Sequence, residues 1–400
     1  MAAKIIALVL CLFLLSSCGS QGPQSLDPAV PLAKDKVYII EYWEAQPPPA
    51  LDPRRQYRAG VEEIAAQFNL ANPGINLRIR WLDWVEAEGE LEKALREGNP
   101  PDLYGDWLGL ARRDHVLQVP AAYWLDQEEL AEAGKNLVAH EGKLWAWPRW
   151  LWPLGLIALE SESGLGQSLP IPTRWEELAH WLESRDLRLA INDWEGEFSG
   201  QALLASAGGG WGRWGGQELN QVFAGLAALV EGGLVAEEPA FLADAPDCLL
   251  GGTEPALLAW LWENQEKEAL LLPLPSVGPD RFYPIAGASL LQFRQVRYKG
   301  DDHSRAAALA AHYLAREQGE LPPLGAVSAW AQGAPGGETP AGYKEILLAA
   351  REKGVPSRAV DRRGRREEDE MRTGAATLLA EFWAGRLGPA EIAQGFEDLQ

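Results

Sequence analysis

From Lys36 to Trp107 the chain switches repeatedly between two hydrophobic periods, and that switching restricts the fold more than any other feature. "KVYIIEYW", starting at Lys36, is an apolar run of strand length. Val61, Ile64, Ala65 and Phe68 then recur at helical spacing, and Asn72-Pro73-Gly74 stops that helix. Ile75, Leu77, Ile79 and Trp81 alternate with polar residues, which is the period of a strand. A charged helix follows through Leu91 and Leu95, and Asn99 to Asp102 lead into a short strand, "LYGDW". Strand, helix, strand, helix, strand predicts an α/β fold with a parallel sheet covered by helices. In such sheets a ligand sits beyond the carboxyl ends of the strands. Trp43 with Glu44, and Asp106 with Trp107, fall at two of those ends.

The same reading places further elements along the chain. "TRWE" (Thr173 to Glu176) is a capping box that predicts a helix start, with Leu178, Trp181 and Leu182 on its apolar face. Leu219, Val222, Phe223, Leu226, Leu229 and Val230 mark a second helix, and Pro255 to Trp262 a third. "EALLLPLP" and "ASLLQF" read as strands, and Ser304 to Arg316 as an alanine-rich helix. Helices are expected at Ala375–Trp383 and after Pro389, which has a favoured first-turn position. No internal repeat is present.

The N-terminus reads as an export signal. Lys4 supplies a positive charge, and the apolar run Ile5 to Leu15 is far shorter than the ~20 residues of a membrane-spanning helix. "LSSC" (Leu15 to Cys18) resembles the bacterial lipobox, in which small residues admit the peptidase and the cysteine thiol takes a lipid. Residues 1–17 are thus expected to be a signal peptide, Cys18 the lipidated residue, and 18–35, rich in Gly, Pro and Ser, a flexible tether. Cys248 is the one cysteine of the body, so no intramolecular disulfide framework is possible there.

Several function classes are disfavoured. A net charge of −21 gives no basic face for nucleic acid. The five histidines show no metal-ligand spacing, so no metal and no cofactor are expected. No P-loop or G-x-S-x-G elbow occurs. Gly210, Gly212 and Gly215 make a formal G-x-G-x-x-G, but a helical segment precedes them and Trp211 and Trp214 fill the variable positions. A glycosidase needs two carboxylates placed about a bond; Asp193, Glu195 and Glu197 offer such a group, but acid clusters are common in a chain this acidic.

Seven segments, taken in order behind the lipobox, resemble the solute-binding lipoproteins of bacterial ABC importers, in the maltose-binding-like branch. They are "FNLANPGINLRIRW", "LEKALREGNPPDLYGDW", "GKLWAWPRWLWPLGLIALE", "PIPTRWEEL", "LLPLP" with "IAGASLLQF", "LPPLGAVSAW" and "FWAGRLGPAEIAQGFEDL". The resemblance implies a two-lobed periplasmic-binding-protein-like (type II) fold. It has a central ligand cleft, three crossovers between lobes, and a hinge that closes on the ligand. It places the N-terminal lobe at 36–148 and 276–325, and the C-terminal lobe at 149–275 and 326–400. The third crossover is expected within Leu321 to Trp330. The tyrosine-asparagine pair usual after the first crossover is replaced by "LGLIALE", which leaves the ligand's identity open.

The first crossover falls in "KLWAWPRWLWPLG" (Lys143 to Gly155), with four tryptophans in eight residues. Trp145 and Trp147 share a strand face and suit a core, whereas Trp150 and Trp152 lie past Pro148 and are expected to wall the cleft. An indole covers the C–H face of a sugar ring while carboxylates take its hydroxyl protons. Aromatic–acid neighbours elsewhere extend the candidate ligand set to Trp43, Glu44, Asp106, Trp107, Trp194, Phe198, Trp262 and Tyr283, and Trp211 joins it from a glycine-rich loop that could reach the cleft. The expected protein is a monomeric, extracytoplasmic receptor, held to the membrane by its lipid. It would bind an oligosaccharide or glycoside and present it unchanged to the transmembrane subunits of an ABC permease. Two other readings remain: a carbohydrate-active lipoprotein enzyme, and the same fold carrying a cation such as a polyamine, which acids and indoles also suit.

Overall fold

A computed structural model describes residues 26–49, 51–52, 55–107, 115–124, 129–159, 172–191, 217–235, 248–251, 269–277, 283–323, 325–330, 333, 341–356 and 365–399. The first elements are β1 (Tyr38–Ala45), α1 (Tyr57–Ala71), β2 (Ile75–Leu82), α2 (Ala87–Arg96) and β3 (Leu103–Asp106). β1 runs parallel to both β2 and β3, as the alternating periods predict. α1 turns Val61, Ile64, Ala65 and Phe68 onto the sheet, and the Ile75 N–H closes the Asn72 turn at 2.8 Å.

Next come α3 (Glu132–Val138), a hairpin of β4 (Ala139–His140) and β5 (Lys143–Leu144), and then β6 (Trp147–Pro153). β7 (Gly155–Leu159), α4 (Trp175–Glu183), β8 (Arg188–Ile191), α5 (Gln217–Glu231), β9 (Cys248–Gly251) and β10 (Ala269–Pro273) follow. The chain continues through β11 (Tyr283–Gln292), α6 (Asp301–Gly319), β12 (Val327–Ser328), α7 (Ala341–Lys353) and β13 (Gly354–Pro356). It ends with α8 (Arg365–Trp383) and α9 (Pro389–Asp398).

Two sheets organise two cores. The larger has the order β12-β6-β11-β3-β1-β2, with β13 also paired to β11, and the smaller has the order β10-β7-β9-β8. α1, α3, α6 and α7 contribute to the core on the larger sheet, where α6 lays down a stripe of alanines from Ala306 to Ala315. The second core joins Trp175, Leu178 and Leu182 of α4 to Phe223 and Leu226 of α5, and to Phe382 and Phe396 of the last two helices. Phe223 stacks on Phe396 at 5.7 Å. The chain is thus two α/β lobes, each with its own sheet and apolar interior.

Strand pairing sets the crossings. β6 stays in the larger sheet through Pro153, and β7 starts the smaller one at Gly155. The return runs from β10 to β11. Lobe boundaries drawn from sequence at 148/149 and 325/326 therefore fall inside or beside elements of the larger sheet. Ser328 pairs with Trp150, the Ala329 N–H reaches the Arg149 carbonyl at 2.9 Å, and Leu347 and Ala350 of α7 lie in the larger core. The third passage lies between β13 and α8 rather than within Leu321 to Trp330.

Two local expectations also shift. Thr173 does not cap α4: the helix starts at Trp175, and Arg174 before it is extended without a side-chain cap. The Ser276 N–H holds the Thr173 carbonyl at 2.8 Å, so this stretch is used as a bridge between chain segments. At the N-terminus Leu26 is buried and Leu32 packs on the larger core. Residues 26–35 thus lie along the body instead of standing off it as tether.

Candidate ligand site

The carboxyl ends of β1, β2 and β3, with the crossing strand β6, gather an aromatic cluster around one buried ion pair. Trp107 lies at its centre, with ring centroids 4.9 Å from Trp150, 5.1 Å from Trp84, 5.3 Å from Tyr57 and 6.3 Å from Trp152. Tyr57 also packs edge-on against Trp81 and Trp150. Edge-to-face and tilted pairs of this kind add roughly 0.5–1.5 kcal/mol each beyond area burial. Trp81 and Trp84 are half-buried, and Trp107, Trp150 and Trp152 are buried.

The ion pair is Glu44 with Arg149, joined at 2.7 Å with both side chains 0% exposed. Glu44 also accepts from the Tyr42 hydroxyl and the Trp107 indole N–H. Arg149 Nη1 donates to Tyr57 Oη at 3.2 Å and to Gln318 Oε1 at 2.9 Å. The guanidinium lies 4.4 Å over Trp150 and 5.3 Å over Trp107. Burial works against its charge, but Glu44, then Tyr57 and Tyr42, outweigh burial and hold Arg149 charged. Burial, then Glu44, push the Tyr42 and Tyr57 phenols well above their ordinary value, so both remain protonated donors. Gly105 makes the arrangement possible, since a Cβ there would stand 2.3 Å from Glu44 Oε2.

A register shift explains how β6 serves this cluster. Ala288 of β11 pairs with Trp150, and Ser289 pairs with Pro148, so Arg149 is an extra residue in its strand. Such a bulge reverses the alternation of faces and re-aims side chains. Trp147 meets His312 of α6 at 5.6 Å, and Trp150 donates its indole N–H to the Gln318 carbonyl of α6 at 2.8 Å. Two side chains three apart thus reach the same helix, which an unbroken strand forbids. Arg149 joins them there through Gln318.

The residues expected from sequence divide three ways. Glu44, Trp107, Trp150 and Trp152 come together in the cluster, and Asp106 is buried at the end of β3, paired with Ser289, on the strand face opposite to that of Gly105. Trp43 does not join them, because neighbours on a strand point to opposite faces. Its ring lies under the Arg80 guanidinium at 4.3 Å, and its N–H meets Glu41. Tyr283 is half-buried at the start of β11, beside Pro284, whose carbonyl takes the Leu154 N–H at 2.7 Å where the chain crosses. Trp194, Phe198, Trp211, Trp262 and the lipidation candidate Cys18 lie outside the described residues. Sequence reasoning missed Trp84, Tyr57, Arg149 and Gln318. Trp84 had a usable signal, since it follows β2 as Trp107 follows β3. Among the described residues no group of three or more His, Cys, Asp or Glu is placed to hold a metal, and no helix is long and apolar enough to cross a membrane.

No protein-family profile matches this sequence, and no curated protein matches it. Solved structures do. A protein studied for xylan utilization by the thermophilic bacterium Caldanaerobius polysaccharolyticus is 17% identical, with TM-score 0.61 over 90% of this chain and 99% of the other. The sugar-binding protein MalE of Xanthomonas citri is 12% identical, with TM-score 0.64 over 90% and 95%. The cyclic α-maltosyl-1,6-maltose binding protein of Arthrobacter globiformis is 13% identical, with TM-score 0.63 over 91% and 98%. At these identities the likeness shows the fold. The chain has the two-lobed α/β architecture of the maltose-binding-like solute-binding proteins, along nearly its whole length.

Proposed function

We propose that this protein is the solute-binding component of an ABC importer, that it captures an oligosaccharide or glycoside between its lobes, and that it releases it chemically unchanged. One observation carries the reading. In a two-lobed fold, the strand ends of the first lobe carry a contiguous indole wall, Trp84–Trp107–Trp152 with Trp150 behind it, and Asp106, buried at the end of β3, is the acid proposed to accompany it. Indole faces match the C–H faces of sugar rings, and a carboxylate accepts a hydroxyl proton in a charge-assisted bond. The structural neighbours include a sugar-binding protein, a cyclic α-maltosyl-1,6-maltose binding protein and a cyclo/maltodextrin-binding protein. Trp194, Phe198, Trp211 and Trp262, with Tyr283 at the crossing, complete the proposed set of ligand contacts. The anchor is a lipid on Cys18, following the lipobox, which puts the body outside the cytoplasmic membrane. The partner is a transmembrane permease.

Calorimetric titration with maltotetraose, xylotetraose, galactose and spermidine tests this reading. Micromolar binding of a saccharide, about −8 kcal/mol, is the expected result, and the ligand should be recovered intact. Trp152→Ala should weaken that binding at least tenfold, since it removes a ring that contributes area as well as aromatic contact. Binding of spermidine alone would overturn the carbohydrate assignment, and cleavage of the saccharide would overturn the transport assignment.

A further inference from the structure

We propose that Arg149 and Glu44 are positioning residues for the indole wall rather than ligand contacts, and that Gln318 ties the strand that crosses between the lobes to α6. The inference rests on the proposed binding site and assigns its supporting layer.

Three observations carry it. First, Arg149 is a bulged residue on β6, five residues before the crossing at Leu154, and the bulge is what turns it toward Trp107 and Trp150. Second, its hydrogen bonding is lopsided. Nη1 serves Glu44, Tyr57 and Gln318, while the buried Nε and Nη2 find no hydrogen-bond partner. An arginine kept only for stability is a poor choice here, since apolar residues of similar volume often replace buried ion pairs without loss. What Arg149 does use fully is its flat face, which lies against the two tryptophans. Third, Gln318 holds consecutive residues of the crossing strand. Its side-chain oxygen takes Arg149 and its backbone carbonyl takes Trp150, while its Nε2 reaches the Tyr42 hydroxyl at 3.1 Å. The last turn of α6 is further locked by Trp330, whose indole N–H donates to the Ala315 carbonyl at 3.1 Å.

Rings set at fixed angles by a guanidinium, on a strand pinned next to the hinge, are pre-organised for a flat guest. Removing the guanidinium frees their angles and leaves their identity unchanged. The lost cation–π contact and the lost pre-organisation together predict about a tenfold fall in affinity.

The experiment compares wild type, Arg149→Lys and the double variant Glu44→Gln/Arg149→Met in the titrations above, with near-ultraviolet and far-ultraviolet circular dichroism. The lysine keeps the charge but loses the planar face, and the double variant leaves no charge stranded. Both should bind the wild-type saccharide about tenfold more weakly, with altered indole bands and unchanged helix content. Wild-type affinity and wild-type indole bands in the double variant would overturn the proposal. Should wild type bind no saccharide, the transport reading fails and the indole bands decide this inference: altered bands in folded Arg149→Lys sustain it, unaltered bands refute it.

Discussion

Gly105 and Glu44 show how one residue licenses another across neighbouring strands. Glycine at 105 leaves room for the Glu44 carboxylate, which would otherwise meet a methyl group at 2.3 Å while held by Arg149, Tyr42 and Trp107. Gly105→Ala is therefore expected to destabilise the folded state by about 1–3 kcal/mol, the usual range for overpacking. A shift in the urea unfolding midpoint at unchanged slope measures it, and an unchanged midpoint refutes the crowding. The chain's glutamates and tryptophans are visible in the sequence, but not which of them share a face. Trp43 and Glu44 are sequence neighbours that the strand sends apart, whereas Glu44 and Arg149, more than a hundred residues distant, are in contact.

At the scale of elements, Asp102 ties three pieces of the first lobe at the amino end of β3. Its carboxylate accepts the Glu41 N–H of β1 at 3.0 Å, contacts His303 of α6 at 2.8 Å, and meets Lys299 at 3.0 Å. Burial alone would raise its pKa. His303, the Glu41 N–H and Lys299 outweigh burial and hold the carboxyl below its usual range. A carboxylate with a depressed folded pKa contributes stability that is complete above its unfolded value, about 3.9, and is lost as pH falls through the folded value. Asp102→Asn should lower the unfolding temperature at pH 7 and flatten the loss of stability below about pH 4. An unchanged acid limb in the melting curves would show that this knot does not hold the lobe. The elements themselves were largely legible: β1 to β3, α1, α5, α6 and Pro389 at the start of α9 follow from apolar period and turn residues. The bulge in β6 was not, because "WPRWLW" reads as an ordinary strand until its partner's register is known.

For the whole molecule, the described residues form two cores on two sheets, the arrangement on which the proposed hinge closure rests. Ligand bound to both lobes should therefore reduce the radius of gyration measured by small-angle X-ray scattering, through a population shift toward the closed state. Identical scattering with and without saturating saccharide would refute hinge closure. The proposed anchor has a geometric consequence as well. Leu26 is already buried in the body, so a lipid on Cys18 leaves a leash whose full extension is about 28 Å. Such an anchor would keep the body close to the membrane, where the proposed permease would meet it.

Sequence alone determined the class of architecture, because strand and helix periods, turn residues and an N-terminal export pattern are local properties of the chain. It also pointed to the strand ends where the indoles of Trp84, Trp107 and Trp152 gather, since parallel strands share one carboxyl edge. Only the tertiary structure decided which side chains meet there and which strands pair in each sheet. Those outcomes depend on register, on a single inserted residue in β6, and on a helix end that arrives from far along the chain. None of these leaves a periodic trace, because each is set by pairing between distant segments.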